Sequence, residues 1–174
     1  MASRDVPQGT LIFCERPLVA AAVLDTGDAA TRGEAQAVAL ALLAMPVEAT
    51  APLCSPAHVA GTAEASSLAT ALDEFAAACP AYEPHRARHC LAVASVNVHA
   101  AARPTRGVLG VLSSMMEHSC SPSAMVTVGA EGGGSLLSLR TLRGVSEGEA
   151  LSVSYVVAYQ PTAARQQQLL LQHG

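Results

Sequence analysis

The chain has no tryptophan and no lysine, and its 174 residues include only three tyrosines and two phenylalanines. A hydrophobic core must therefore be built from small aliphatic side chains, many of them alanine. Charged residues make up 14% of the chain and hydrophobic residues 51%, a composition that excludes an intrinsically disordered protein. The length suits one domain, or one domain that carries an insertion.

Long apolar segments are also missing. A membrane-spanning helix needs about 18 or more uncharged residues, and the longest apolar run, residues 35–45, is shorter. The first nine residues contain no apolar segment of the kind that directs secretion. No basic stripe accompanies the net charge of −4, so direct nucleic-acid binding has no electrostatic support. These absences predict a soluble intracellular protein, nuclear or cytoplasmic, that binds neither membranes nor nucleic acid.

The five cysteines are scattered along the chain, and none of them forms a Cys-x-x-Cys pair. An odd number of cysteines without a secretion signal argues against a disulfide framework. We therefore expect reduced thiols, most of them packed as small hydrophobic side chains. The five are Cys14, Cys54, Cys79, Cys90 and Cys120.

Sequence patterns in the first half predict short strands followed by helices. One strand is expected over residues 10–13 and an apolar strand over residues 18–24. Thr31 and Glu34 have the spacing of a capping box, which predicts a helix over residues 35–45. Two more helices are expected, one from residue 66 or 67 to Pro80 and one from Pro84 to about residue 95.

The second half returns to strands. Alternating hydrophobic residues predict strands over residues 125–128, 136–142 and 151–154, with a glycine-rich turn at 129–134. Thr162 is a candidate cap for a closing helix that runs to Gln172. Strands, a helical insert, more strands and a final helix together predict an α+β fold with short antiparallel sheets.

Two motifs about 30 residues apart carry most of the functional information. Residues 117–123 read EHSCSPS, and the segment GEALSVSY ends at Tyr155, just before the predicted closing helix. Near the start, residues 4–18 read RDVPQGTLIFCERPL. This combination resembles the SET domain, whose signature is NHSCxPN, then GEEL, a β-run and a tyrosine, after a first segment RDI-x-x-GELI-x-x-E-x-P. The resemblance is greatest to the SET-and-MYND type of protein-lysine methyltransferase.

The resemblance implies one SET-like domain over residues 1–174. Its N-terminal segment would be residues 4–24, its variable helical insert residues 25–94, and its C-terminal segment residues 95–174. The implied fold is α+β, with short antiparallel sheets, a C-terminal helix and a pseudoknot in which the HSC and tyrosine segments thread past each other. The MYND cysteine cluster that many relatives carry in the insert is absent here.

The implied reaction is methyl transfer from S-adenosylmethionine to a lysine of a histone or another protein. By resemblance, Tyr155 would be the catalytic tyrosine, and Asn97, Ser114, Glu117 and His118 would form the cofactor wall. A tyrosine suits this position because its hydroxyl is held by a rigid ring and can donate or accept a hydrogen bond. Alignment of two reactants alone can contribute about 7–11 kcal/mol to such a reaction.

Two residues depart from the family signature. Glu117 stands where the family has an asparagine, and Ser123 stands where it has the second asparagine. Glu117 replaces a neutral donor and acceptor with an anion that only accepts. It would repel the cofactor's carboxylate, but it would be tolerated near the sulfonium or the amino group. The sequence leaves both readings open, and with them a second function, a catalytically degenerate domain that acts as a protein-interaction module.

Cys120 has a conditional role. In the family the matching cysteine completes a zinc site with a Cys-x-Cys-x-x-Cys cluster that follows the closing helix. No such cluster occurs before Gly174, and one thiolate cannot form a four-ligand zinc site. We therefore expect no zinc in this chain, and expect Cys120 to bind metal only if a longer chain supplies the cluster. The Gly-x-Gly strand that usually precedes the RD motif is also missing, which indicates a fragment.

Other candidate sites have less support. His85 and His89 have helical i, i+4 spacing beside Cys90, but two arginines lie between them, so a solvated helix face is the simpler interpretation. His118 lies near Cys120 in sequence, as in a cysteine nucleophile pair, but no orienting acid or oxyanion-hole motif accompanies them. We therefore expect neither a second metal site nor cysteine catalysis.

Overall fold

Along the chain, strands precede and follow a helical insert, and a last helix ends the order. The computed structural model describes residues 1–22, 30–50, 53, 63–102, 105–131, 134–157 and 159–173. The strands are β1 (Leu11–Glu15), β2 (Val19–Ala22), β3 (His99–Ala102), β4 (Thr105–Leu109), β5 (Glu117–His118), β6 (Ala124–Glu131), β7 (Gly134–Thr141) and β8 (Ser152–Val153). The helices are α1 (Ala30–Leu43), α2 (Val47–Thr50), α3 (Ala63–Ala78), α4 (Pro84–Asn97) and α5 (Thr162–His173), with a 3₁₀ turn at Ser113–Met115.

The strands form three small sheets. Two are antiparallel, in the orders β1-β7-β6 and β2-β4-β3, and the third is the two-stranded pair β5-β8. The predicted α+β fold with short antiparallel sheets is therefore confirmed. The β5-β8 pair is parallel, and local alternation of hydrophobic residues gave no sign of it, because the two strands are two residues long and far apart in sequence.

The larger core lies between the helices and the β2-β4-β3 sheet. Fully buried side chains from α1 (Val38 and Leu42) meet Phe75, Leu91 and Leu109. Helix α1 lies so close to β4 that a Cβ atom on Gly107 would be 2.9 Å from the Glu34 carbonyl oxygen and 2.9 Å from Val38 Cγ2. The residue at 107 must therefore be glycine for the helix to pack at this distance. A smaller core joins Ala124, Leu139 and Val153.

Three helix boundaries differ from the sequence-based expectation. Helix α1 begins at Ala30, so Thr31 and Glu34 lie inside the helix and the predicted capping box is wrong. A spacing of three residues is equally compatible with two positions inside a helix. Helix α3 begins at Ala63, ahead of the predicted start. Helix α4 continues to Asn97, past the predicted end at about residue 95.

The second half follows the predicted order with a tighter hairpin. Strand β6 extends to Glu131 and β7 begins at Gly134, so most of the expected turn is strand. Gly129 pairs with Leu136 in this ladder. Helix α5 covers the predicted closing helix. None of the helices in the described ranges combines the length and the apolar character that a membrane span requires.

Candidate functional site

The two motifs that carried the functional prediction lie side by side. In the parallel pair, Glu117 is in register with Ser152 and His118 with Val153. The backbone N–H of Ser119 donates to the Val153 carbonyl at 2.8 Å, which extends the contact by one residue. The HSC segment and the segment that leads into Tyr155 are therefore neighbours, although about 30 residues separate them in sequence.

Tyr155 is held by the β5 segment at both its backbone and its hydroxyl. Its N–H donates to His118 Nδ1 at 3.0 Å, and its hydroxyl donates to the Met116 carbonyl at 2.5 Å. The two rings lie 5.3 Å apart between centroids, tilted by 51°. Since 40% of Tyr155 remains exposed, these contacts, and not burial, fix the direction of its ring.

His118 is held in its neutral form. Its pKa lies below the ordinary value because the ring is partly desolvated and because the Arg165 cation is near. The neutral state matters for geometry, since Nδ1 can accept from Tyr155 only when it carries no proton. The remaining ring proton then lies on Nε2, which is 3.4 Å from the Cys120 sulfur. His118 thus supports the Tyr155 backbone through one nitrogen and faces Cys120 with the other.

The second departure from the signature, Ser123, is accommodated by Ser152. Ser123 is fully buried, and its hydroxyl accepts a hydrogen bond from the Ser152 N–H at 2.9 Å. In return, the Ser123 N–H donates to the Ser152 hydroxyl at 3.4 Å, and Leu142 donates its N–H to the Ser123 carbonyl at 2.8 Å. A short side chain therefore joins the start of β6 to β8 at this position, because a second hydroxyl meets it.

Glu15 fixes the loop that leads into the HSC segment. Its carboxylate accepts the N–H groups of Leu112 at 3.0 Å and Ser113 at 2.7 Å. These groups begin the 3₁₀ turn and would otherwise lack helical partners. In the sequence, Glu15 stands out only as part of the N-terminal motif, and nothing there indicates this role. Its position in that motif was the only available signal.

Ser114 is fixed by the same loop. Its hydroxyl donates to the Gly110 carbonyl at 2.5 Å. Gly110 lies directly against the Glu15 carboxyl group, whose Cδ would be 2.6 Å from a Cβ atom at position 110. Leu137 Cδ1 would be 2.5 Å from the same point. Backbone, carboxylate and hydroxyl are therefore packed into one rigid unit that sets the position of Ser114.

A cavity of about 560 Å³ lies beside this unit. Asn97, Ser114 and Tyr155 all line it, so the structure brings three of the five predicted site residues together. Glu117 is exposed, and neither Glu117 nor His118 belongs to the lining. Ligand pockets in proteins commonly have volumes of about 300–1,000 Å³. The cavity is therefore large enough for a cofactor of the size of S-adenosylmethionine, and its neutral polar groups suit a ligand rich in donors and acceptors.

Asn97 reaches the cavity from the last turn of α4. It is buried, and its side-chain nitrogen donates to the Val93 carbonyl at 2.8 Å. His99, two residues further on, also lines the cavity. Burial lowers the pKa of His99, and the nearby Glu15 charge opposes that shift. The end of α4 and the start of β3 therefore contribute an oriented amide and an imidazole to the same wall.

The helical insert adds a charged group that the sequence analysis missed as a site residue. Glu34 of α1 lines the cavity although only 7% of its surface is exposed. Burial raises the pKa of this carboxyl group. The spacing between Thr31 and Glu34 predicted a helix cap, so nothing in the sequence indicated that Glu34 lines a cavity. The side chain enters the site only because α1 packs against β4.

The described residues do not provide a zinc site. No group of three or more His, Cys, Asp or Glu side chains within these ranges is arranged to hold a metal ion. Cys120 is exposed and has His118 as its contact, so the donors around it fall short of four ligands. His85 and His89 are exposed on α4, where Cys90 is buried. Cys14 and Cys79 are also free thiols, whereas Cys54 lies outside the described residues.

Comparison with known proteins agrees with this arrangement. A family model described as the SET domain matches residues 1–156, a range that includes all three motif segments and the helical insert. A search of curated proteins found no match to the sequence. The family match covers most of the chain, and the α+β fold with its short antiparallel sheets is consistent with it. The chain therefore belongs to the SET domain family.

Proposed function

We propose that this chain transfers a methyl group from S-adenosylmethionine to a lysine side chain of a histone or another protein. The observation that carries the proposal is the parallel β5-β8 pairing. This pairing places Tyr155 at the cavity that Asn97 and Ser114 also line. A catalytic hydroxyl and polar groups able to hold a cofactor thus meet at one site, as a two-reactant transfer requires.

Tyr155 would contribute to methyl transfer by orienting the substrate amine. When bound, the cofactor supplies an electrophilic methyl group attached to a sulfonium. The Tyr155 hydroxyl donates to the Met116 carbonyl, and a hydroxyl that donates in this way acts as an acceptor toward a third group. An amine N–H of the substrate lysine is such a group. Tyr155 would therefore orient the amine nitrogen toward the methyl carbon, and the partly enclosed site would limit competition from water.

The cofactor wall is proposed to include Asn97 and Ser114, since both line the cavity in orientations fixed by hydrogen bonds. Glu117 and His118 lie outside the lining, so the cofactor contacts that the resemblance implies for them stay predictions. A Glu117→Asn variant tests the first of these. A change in its dissociation constant for S-adenosylmethionine would place the Glu117 side chain at the cofactor, and an unchanged constant would remove it.

Finer assignments are part of the same proposal. We place the chain nearest to the SET-and-MYND type, as one domain whose N-terminal segment, insert and C-terminal segment are residues 4–24, 25–94 and 95–174. Its partner would be a lysine-bearing protein or peptide. The free thiols at four of the described cysteines support an intracellular setting, nuclear or cytoplasmic. Cys120 would bind zinc only with a cysteine cluster from a longer chain.

An interaction module is the second candidate function. It is favoured by the apolar and aromatic groups exposed around the cavity, among them Tyr159 at 93%, Met125 at 47% and Leu142 at 40%. Exposed large hydrophobic side chains grouped in this way often mark a protein-binding surface. The same surface would serve an enzyme as the place where its protein substrate docks. Methyl transfer is therefore the property that separates the two candidates.

A Tyr155→Phe variant tests the proposal. The measurement is transfer of labelled methyl from S-adenosylmethionine to core histones and to an array of lysine-containing peptides. We expect the wild-type chain to label at least one of them, and the variant to lose about 100-fold or more in turnover, because removal of one oriented hydrogen-bonding group commonly costs about 2.7–4 kcal/mol of transition-state stabilisation.

The control is Tyr82→Phe, which removes a hydroxyl from a half-buried side chain outside the cavity lining. Thermal unfolding of all three proteins shows whether the fold is retained. Equal turnover of wild type and Tyr155→Phe would remove Tyr155 from the mechanism. A folded wild-type chain that labels none of these substrates would favour the interaction module.

A further inference from the structure

One of the described residues that line the cavity carries a formal charge. Among the described residues that line it, Glu34 is the only one with a formal charge, and no arginine takes part. The other polar lining groups are hydroxyls, amides and the His99 imidazole. Burial keeps that ring in its neutral form at neutral pH, since it lowers the pKa. Glu34 is therefore the charged group that a ligand would meet directly on the described part of the wall.

Among the described residues, Glu34 has no partner that would offset its burial. Its side chain forms no hydrogen bond or ion pair with any residue in the described ranges, although more than nine-tenths of the residue is buried. A carboxylate that is partly removed from water and has no partner among these residues is costly. The Glu34 carbonyl oxygen and Val38 pack against Gly107, so a shift of α1 that exposed the side chain would have to open this contact.

No contact among the described residues makes this charge stabilise the folded state. A glutamine has nearly the same shape and would fill the same place without a desolvated anion. The carboxylate becomes favourable only when a cation enters the cavity, since a charge-assisted hydrogen bond in a desolvated site is stronger than one in water. The burial of Glu34 and its place on the cavity wall thus both indicate a cationic ligand group.

We propose that Glu34 binds the ammonium group of a ligand that occupies this cavity. The proposal rests on the function proposed above, which supplies two molecules with such a group. S-adenosylmethionine carries an α-ammonium group on its amino-acid portion, and the substrate lysine carries one at the end of its side chain. Glu34 belongs to the helical insert and to none of the sequence motifs.

The test compares Glu34→Gln with wild type and with Glu74→Gln, a control on α3 whose side chain is exposed and outside the cavity. Calorimetric titrations use three ligands. S-adenosylmethionine carries ammonium and sulfonium, S-adenosylhomocysteine keeps only the ammonium, and 5′-methylthioadenosine has neither. We expect Glu34→Gln to bind the first two at least tenfold more weakly and the third as tightly as wild type does.

A second arm identifies the source of the ammonium group. Thermal unfolding is measured with n-butylammonium chloride, which mimics a lysine side chain, and with sodium chloride at equal concentration. If Glu34→Gln binds S-adenosylhomocysteine normally but loses stabilisation by n-butylammonium, the ligand group is the substrate lysine. If wild type binds no adenosyl ligand and yet keeps the n-butylammonium effect through Glu34, the proposed function is wrong and the assignment of Glu34 stands.

Three results would overturn the assignment. One is unchanged behaviour of Glu34→Gln toward every ligand. The second is equal weakening for 5′-methylthioadenosine, which would show a structural effect on the whole cavity. The third is weaker binding of S-adenosylmethionine alone among the ligands, which would assign Glu34 to the sulfonium. Glu74→Gln is expected to match wild type throughout.

Discussion

Replacement of Gly110 by alanine should disturb the loop that places Ser114 in the cavity. A Cβ atom at this position would be 2.5 Å from Leu137 Cδ1 and 2.6 Å from Glu15 Cδ, and still closer to the nearer Glu15 carboxylate oxygen. Leu137 is fully buried and cannot swing away. The Glu15 carboxylate must therefore move, and its movement stretches the hydrogen bonds to Leu112 and Ser113.

The size of the effect follows from the cost of the added methyl group and from the weakened hydrogen bonds. An extra methyl group in a packed interior commonly costs about 1–3 kcal/mol. A hydrogen bond to a charged group contributes about 1.5–3 kcal/mol, and we expect at least part of one to be lost. The free energy of unfolding should therefore fall by about 2–4 kcal/mol. For a chain of this size that corresponds to a melting temperature roughly 4–16 °C lower.

Urea unfolding followed by circular dichroism measures the change, with Gly129→Ala as the matched control. No atom lies within 4 Å of a Cβ placed on Gly129, and Gly129 lies in a strand. Alanine should be neutral or slightly stabilising there. Equal stability of the two variants would refute the account of Glu15 and its loop. We also expect Gly110→Ala to bind S-adenosylmethionine more weakly, because Ser114 is hydrogen-bonded to the Gly110 carbonyl.

Three more predictions concern single side chains. Ser123→Ala should lower the free energy of unfolding by about 1–3 kcal/mol, because the part-buried Ser152 N–H loses its acceptor. Urea unfolding measures this change, with Ser121→Ala at an exposed position as the control. An equal loss of stability in both variants would contradict the prediction. Glu34→Gln should be more stable than wild type at neutral pH, with the difference vanishing below about pH 4.3, the usual pKa of an unfolded glutamate. The sign follows from the raised pKa of Glu34 in the folded state. Because the folded state holds the proton more tightly, the stability of the wild-type protein falls as the pH rises above the pKa of the unfolded glutamate. Melting temperatures of both proteins across that pH range test this. Glu15→Gln should weaken binding of S-adenosylmethionine, because an amide can accept only one of the two loop N–H groups well; an unchanged dissociation constant would show that the loop holds without the charge.

Much of the fold could be predicted from local sequence. Proline marks the end of α3 and the start of α4, because the ring removes an N–H and fixes one backbone angle. The β6-β7 hairpin follows from alternation of apolar residues around glycines. The start of α1 could not be predicted in this way, because a threonine and a glutamate three residues apart occur both at helix starts and inside helices.

The candidate site was only partly predictable for a related reason. Tyr155, Asn97 and Ser114 were identified by resemblance to the family, and the structure brings them to one cavity. Glu34 could not be found, since its role depends on how a helix of the variable insert packs against β4. The exchange of hydrogen bonds between Ser123 and Ser152 was equally hidden. It depends on the parallel pairing of two distant two-residue strands, which no local pattern encodes.

The central claim is that the cavity beside Tyr155 is a working cofactor site, and calorimetric titration of the wild-type chain with S-adenosylmethionine tests it most directly. We expect saturable binding of one molecule per chain, with competition by S-adenosylhomocysteine. The Asn97→Ala variant should bind more weakly, since Asn97 is a buried part of the wall. A chain that unfolds cooperatively but gives no binding heat, and no melting-temperature increase with either ligand, would contradict the account.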